Sequence, residues 1–248
     1  MAHVRELRIY PVKGLDPALP RMARLLPSGA LEWDRRWALV DRQGRFVNGK
    51  NRPAIHAIRA VFDLGRGEMS VDGGPGWSLA RDGAAIAASF SERLGEPLEW
   101  REDADAGFPD DTDAPGPTLA AEGSFQAVAG WFGFAAEQAR LRFRTNIEVA
   151  GVDAWWEDRL YGAEFRVGEA RLLAVNPCAR CVVPAREALS GEPTPEFQKR
   201  FVERRREQLP PGVNQALFSH YYRFSVNTLR ACRDDGFETI RLGDPVAT

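Results

Sequence analysis

Lysine, cysteine, methionine and histidine are each present only three times in this 248-residue chain. An odd number of cysteines, Cys178, Cys181 and Cys232, in a chain long enough to fold without covalent staples argues against a secreted disulfide framework and leaves at least one thiol free. Lysine occurs only at Lys13, Lys50 and Lys199, and the other thirty basic residues are arginine. The net charge of -2 excludes a general nucleic-acid binder, whose affinity comes from a basic surface that releases counterions. Any anion site must therefore be local. No run of eighteen apolar residues occurs, and Arg5, Glu6 and Arg8 interrupt what would be the apolar part of a signal peptide. A cytoplasmic location without membrane contact is the expectation. There is no dinucleotide-binding fingerprint, internal repeat or low-complexity tract.

What is present is a composition able to bury a core, 44% hydrophobic and 27% charged. Short alternating runs predict strands at Val4 to Pro11, Trp37 to Val47 folded about Arg42-Gln43-Gly44, Ile55 to Leu64 and Met69 to Leu79. Gly65, Gly67, Gly73, Gly74 and Pro75 punctuate them, which suggests a small β-barrel. Ile86, Phe90 and Leu94 recur at helical spacing with Gly95 after them, so Ala84 to Leu94 reads as a helix. Residues 102–117 hold five Asp and three Pro, have little to bury, and predict an exposed loop at a domain seam. The domains are accordingly set at 1–100 and 101–248. Beyond the seam the pattern predicts a short helix capped by Ser124 and running through Gly133, and strands at Leu141 to Val149 and at Phe165 to Val175 turning at Gly168. A charged helix from Pro195 to Gln208 and a closing strand from Thr239 to Val246 follow.

The chemistry concentrates at Asn176-Pro177-Cys178-Ala179-Arg180-Cys181, two thiols separated by two residues directly after an apolar strand. A structural zinc site needs four ligands, and only Cys232 and three unpaired histidines remain to complete one. A redox dithiol wants its first cysteine at a helix N-terminus, but Val182, Val183 and Pro184 argue against a helix here. Two small buried hydrophobes are the plainest alternative. Arg180 weighs against that, because a guanidinium favours a neighbouring thiolate and offers a fork of donors to an anion. Lys13, Arg35, Arg36, Arg142 and Arg144 lie at expected strand ends or turns, where a barrel mouth can gather them; each alone is an ordinary surface charge. The residues themselves lead as far as a β-rich protein with a possible thiolate and anion site.

Read as a whole, the chain resembles the MOSC superfamily, and within it the two-domain proteins related to the mitochondrial amidoxime-reducing component. In the first half the resemblance rests on Ile9-Tyr10-Pro11-Val12-Lys13-Gly14 and Trp33-Asp34-Arg35-Arg36-Trp37-Ala38-Leu39-Val40-Asp41. In the second it rests on Arg142-Phe143-Arg144-Thr145-Asn146-Ile147, Trp156-Glu157-Asp158, Cys178-Ala179-Arg180-Cys181 and Ile240-Arg241-Leu242-Gly243-Asp244-Pro245-Val246. The fold it implies is β-rich α+β, an N-terminal small β-barrel domain packed on a MOSC β-barrel domain with peripheral helices. It implies a molybdenum-molybdopterin cofactor with Cys181 as the metal ligand and Cys178 as a structural neighbour. A soft thiolate suits a metal that changes oxidation state. It further implies cofactor contacts from Lys13, Gly14, Arg35, Asp113, Ala114, Pro115, Arg144, Asn146, Ala179 and Arg180. Backbone amides are the expected contacts around Asp113, and the Asn146 amide is expected to offer a donor and an acceptor to the heterocycle. Pyridoxal phosphate is not expected.

Two departures bear on function. Gly14 stands where relatives often carry Ser, and Val182 to Glu192 replaces the Thr-rich, Asp-containing stretch of the reductases, which puts the substrate class in doubt. The resemblance implies an oxidoreductase that removes oxygen from N-hydroxylated small molecules, with Trp155 and Trp156 near the pocket or, more simply, packing in the core. The relatives' membrane anchor and fused ferredoxin module have no counterpart here, so a separate ferredoxin-, flavin- or cytochrome-type protein is the expected electron donor. The alternatives are a carrier that holds the cofactor or a persulfide on a cysteine, and a binding module that has lost the cofactor. Cys181 and Asn146 argue against the last.

Overall fold

The computed structural model describes residues 1–231 and 236–248, so Cys232 lies outside the described residues. The first half contributes β1 (His3–Leu7), β2 (Met22–Leu25), β3 (Trp37–Asp41), β4 (Ala60–Asp63), β5 (Glu68–Val71), β6 (Trp77–Ser78), α1 (Gly83–Leu94) and β7 (Leu98–Glu102). The second contributes β8 (Leu119–Ala121), α2 (Glu122–Phe132), α3 (Ala136–Phe143), β9 (Ile147–Ala150), β10 (Glu164–Val167) and β11 (Ala170–Ala179). It ends with α4 (Phe197–Glu207), β12 (Arg223–Arg230), β13 (Glu238–Arg241) and β14 (Val246–Ala247).

Seven strands form one sheet in the order β1-β9-β8-β12-β11-β10-β14, antiparallel except between β8 and β9. The sheet curls back on itself. His3 bridges Pro245, and the Val246 amide donates to the Ala2 carbonyl at 3.0 Å, so the first and last strands meet and a nearly closed barrel results. Alternation on these strands points Val4, Leu7, Val149, Phe165, Leu172 and Val226 into its interior. Leu25 and Ile240, on the paired strands β2 and β13 and opposite Glu238 and Ala23 respectively, join the same core. Segments from the first thirty-odd residues thus belong to the barrel of the second half, although α1 and strands β3 to β7 do not.

Those remaining strands make the N-terminal β domain, with β3 paired to β7 and β4-β5-β6 as a three-stranded meander. Trp37, Leu39, Met69, Val71 and Ile86 bury together there with Phe90. The helical reading of this segment holds, and Gly95 ends α1 in the left-handed conformation at φ 71. The reading of Ile55 to Leu64 as one strand is corrected: Pro53 starts a single 3-10 turn through Ala57, and pairing begins only at Ala60.

A third core is aromatic. Phe125, Phe143, Phe197, Phe201 and Phe224 pack helices α2 to α4 against the outside of the barrel. Here Leu141 to Phe143 overturns the strand expectation, because Arg-Leu-Arg-Phe, residues 140–143, alternates like a strand only if its arginines are exposed. Arg140 and Arg142 are buried, Arg140 on Glu148 at 2.6 Å, and Ala139 and Phe143 then fall on one helical face. Ser124 is likewise not a cap: it lies inside α2, whose N-cap is Ala121, and its hydroxyl accepts from the Trp155 amide at 2.7 Å. Gly133 does end α2, at φ 70. The expected closing strand is two strands, β13 and β14, separated by a turn.

β12, a central barrel strand with no strong sequence signal, changes face midway. Phe224 joins the aromatic core and Val226 the barrel interior, although two residues apart in a regular strand they would share a side. A bulge opposite Cys178 separates them, with Ser225 at φ 67.

Candidate functional site

The site is assembled around Tyr10, which follows β1 and is fully buried. Its amide donates to Asp34 Oδ1 at 2.8 Å and its carbonyl accepts from the Arg35 amide at 2.7 Å, which brings the turn before β3 against it. Trp33 and Arg35 both have positive φ, 72 and 50, in that turn. The Arg35 guanidinium then lies 4.9 Å from the centre of the Tyr10 ring, and that of Arg144 lies 4.1 Å from it. Arg144 gets there as the left-handed residue that ends α3, at φ 53.

Three residues after Tyr10, Lys13 places its buried ammonium 2.9 Å from the Phe108 carbonyl and 2.5 Å from Asp110 Oδ1. Burial and the nearby guanidiniums of Arg35 and Arg144 lower the Lys13 pKa, against the pull of Asp110. Partial desolvation pushes the Asp110 pKa up, but Lys13, Arg35 and Arg144 more than reverse this and hold it at about 2. Gly14, next in the chain, has φ 93, and a Cβ there would lie 3.1 Å from Ile55 Cδ1 and 3.2 Å from the Val47 carbonyl. Glycine at this position is thus explained by backbone conformation as well as space.

From the other side comes the end of β11. Arg180 Nη2 donates to the Phe143 carbonyl at 2.6 Å, and Nη1 donates to Cys178 Sγ at 3.1 Å. Burial works against its charge, but Cys178, Cys181 and Asp110 raise the Arg180 pKa nonetheless. Cys178 is half-buried, whereas the thiol-bearing Cys181 is exposed in the loop after the strand. A lone 3-10 turn, Val183–Ala185, follows, so neither cysteine caps an α-helix.

Arg35, Arg144 and Asn146 are therefore gathered by direct contacts, and the charge of Asp110 acts on Lys13 and Arg180 as well as on the two arginines. Arg35 reaches the Arg144 carbonyl at 3.2 Å and Asn146 Oδ1 at 3.4 Å. Arg35 also pairs with Asp34, and Lys13 with Asp110, whereas neither Arg144 nor Arg180 has a carboxylate ion-pair partner among the described residues. The Asn146 amide is engaged within the protein: Oδ1 accepts from the Thr118 amide and hydroxyl, each at 3.1 Å, and Nδ2 donates to the Arg8 carbonyl at 3.0 Å. It braces the Arg35 turn against β8 and the chain after β1.

Around Asp113 the backbone amides expected as cofactor contacts are engaged within the chain. The amides of Asp113 and Ala114 both donate to Asp111 Oδ1, at 3.0 and 3.2 Å, and Pro115 has none. Ala114 is buried and Asp113 exposed. Asp111 also accepts from Asn227 Nδ2 at 2.9 Å, and the Gly116 amide donates to the Thr228 carbonyl at 3.0 Å, so this loop is fixed to β12. Ala179 is exposed at the end of β11. Trp155 is a packing residue, buried against Trp131 and Phe224, and Trp156 is partly buried against the barrel core.

Sequence reasoning left out Tyr10, Asp110, Tyr222 and Ser225. Tyr10 stands in a quoted block but reads as an ordinary strand aromatic, and Asp110 as one carboxylate in a solvated acidic loop. Tyr222 faces Arg180 across the strand pair, its carbonyl accepting from the Arg180 amide at 3.1 Å. Buried polar atoms without a hydrogen-bond partner in these segments include Tyr10 Oη, Thr145 Oγ1, Arg180 Nε, Tyr222 Oη and Ser225 Oγ. Buried polar atoms are rarely left so, and the hydroxyls of Tyr10, beside Arg35 and Arg144, and of Tyr222, beside Arg180, are ones that a heteroatom-rich anionic ligand would satisfy. Among the described residues no group of three or more His, Cys, Asp and Glu side chains forms a metal site.

Residues 1–106 match the MOSC N-terminal beta barrel domain, and residues 119–247 match the MOSC domain. The chain belongs to the MOSC domain family. MOSC domains are associated with molybdenum-cofactor sulfurases and oxidoreductase-type proteins. The chain is similar to the YuaD protein of Bacillus subtilis at 10% identity and a TM-score of 0.46, covering 99% of this chain and 93% of that one. It is also similar to YiiM of Geobacillus stearothermophilus at 16% identity and a TM-score of 0.33, covering 53% and 52%. No curated protein matches it. Among the described residues no helix is long and apolar enough to cross a membrane.

Proposed function

We propose that the protein is a molybdenum-cofactor-dependent oxidoreductase that reduces N-hydroxylated small molecules. The observation that carries this reading is the exposed Cys181 thiol directly after Arg180, at the edge of a cluster holding two guanidiniums without carboxylate partners. The donor set suits a phosphate-bearing pterin that brings its own sulfur ligands to a metal, because one thiolate from the protein then suffices. Cys181 would hold the metal, Lys13, Arg35, Arg144 and Arg180 the anionic group, and the unpartnered hydroxyls of Tyr10, Thr145 and Ser225 the polar atoms of the heterocycle. The bound group supplies a two-electron reduction in which an N–O bond breaks, two protons are taken up and the oxygen leaves as water. The electrons come from a separate donor protein of ferredoxin, flavin or cytochrome type. The chain's own part is to orient the group: the Tyr10 ring fixes two guanidiniums, and Asn146 braces the turn carrying one of them.

The test is elemental and pterin analysis of protein made with the cofactor available, with the Cys181→Ala variant beside it, followed by turnover of an amidoxime with a chemical reductant. Near-stoichiometric metal lost in the variant, together with turnover, is the expected result; no metal in either protein rejects the reading. Exposure of Cys181 also favours a second reading, a sulfur or cofactor carrier, since a partner enzyme can reach the thiol. Intact mass after incubation with a sulfur donor separates the two, because a carrier gains one sulfur atom at Cys181 and shows no turnover.

A further inference from the structure

The Lys13–Asp110 ion pair is asymmetric. The Lys13 side chain is 8% exposed and that of Asp110 is 81% exposed. The lysine is fixed by the backbone of the N-terminal β domain and the seam loop, its amide donating to the Trp37 carbonyl at 2.8 Å and its ammonium held by Phe108. The backbone on either side of Asp110 is also fixed. Phe108 donates its amide to the Arg35 carbonyl at 2.8 Å, Gly107 packs so closely on Asp34 that a Cβ would meet its carbonyl at 2.7 Å, and Asp111 is bound to Asn227. The Asp110 side chain, by contrast, stands largely in water while its carboxylate pairs with Lys13. Its charge acts also on Arg35, Arg144 and Arg180.

We infer that Asp110 is a resident counter-anion, a carboxylate that occupies the cation cluster until an incoming phosphate-type anion displaces it and takes over Lys13. This rests on the reading of the cluster as an anion site. Its consequence is selectivity: a weak or singly charged anion does not repay the loss of the Lys13–Asp110 pair, whereas a multiply charged phosphate does, by binding Arg144 and Arg180 at the same time.

The test is calorimetric titration of the protein, free of cofactor, with inorganic pyrophosphate, for the wild type, Asp110→Asn and Arg144→Ala, with the thermal shift that pyrophosphate produces in each. Asp110→Asn keeps the shape and removes the competing charge, so it should bind about tenfold tighter, the scale of one charge in a solvent-open site. It should also show the larger pyrophosphate-induced rise in Tm, and Lys13→Met should cost more affinity in the Asp110→Asn background than in the wild type. Asp110→Ser serves if the amide variant does not fold. Equal or weaker binding by Asp110→Asn, with Arg144→Ala still losing binding, overturns the counter-anion and leaves the anion site standing. Absence of pyrophosphate binding in both wild type and Asp110→Asn overturns the anion site and the counter-anion with it.

Discussion

Arg180 Nη1 stands 3.1 Å from Cys178 Sγ, so the guanidinium between the two cysteines is committed to the first of them and leaves the second exposed and unbonded. The two thiols should therefore respond differently to substitution. Cys178→Ser keeps an acceptor for Arg180 and should retain most of the bound metal, whereas Cys181→Ser should lose nearly all of it. Metal content after gel filtration reads this directly, and equal losses from both variants would refute the assignment of ligand and neighbour.

Arg205 and Asp158 form an ion pair at 2.5 Å with each side chain 1% exposed, beneath Trp155, whose ring centre is 4.1 Å from the guanidinium. Tyr161 completes the group with a 2.7 Å bond to Asp158. Removing one partner strands the other charge in the interior, so Asp158→Ala should cost about 3–5 kcal/mol in urea unfolding. The paired replacement Asp158→Leu with Arg205→Met should recover much of that loss. A double variant no more stable than the single one would show that the pair is not the source of the cost.

Glu157 next to this pair is buried, accepts one hydrogen bond from the Ala121 amide and has an unpartnered second oxygen. Burial, and then the charge of Asp158, push its pKa up to about 7 from 4.5. Between those values the folded chain keeps a proton that the unfolded chain has lost, so stability should fall as pH rises through this window and level off above it. Glu157→Gln removes the titration and keeps the acceptor. Tm measured from pH 5 to 8 should decline less in that variant than in the wild type; matching declines would exclude Glu157 as the group responsible.

Asp111 holds the seam loop through two amides and Asn227. Asp111→Ala should leave the barrel folded while costing about 1 kcal/mol, the scale of intramolecular hydrogen bonds whose donors water can still reach. Limited proteolysis should then cut within residues 103–117 faster than in the wild type. Unchanged cleavage would mean that the Gly116 and Thr228 contacts suffice to hold the loop.

Local pattern was a good guide where one segment's own chemistry decides its shape. The hairpin at Gly168 and the charged helix α4 follow from turn residues and periodicity alone. The same rules failed at α3, where burial of Arg140 and Arg142 depends on Glu148 on β9 and on Thr194 before α4. They also missed β8 and β12, whose strand character comes from neighbours on both sides. At the site, Lys13, Arg35, Arg144, Arg180 and Cys181 were legible as residue types in recognisable blocks. Tyr10 and Asp110 were not, because a buried aromatic and an acidic loop residue carry no local mark of the charges they will meet.

By itself the sequence determined that the chain is β-rich and that a thiol stands beside an arginine after an apolar strand. It also determined that the scarcity of lysine would leave arginine to carry any anion site. Only the tertiary structure decided that the first strand belongs to the barrel of the second half, that the Asn146 amide is a brace, and that Lys13 meets a carboxylate 97 residues away. The reason is physical: local conformation is set by neighbouring side chains and turns, whereas strand partners and counter-charges are set by which distant surfaces can be buried together.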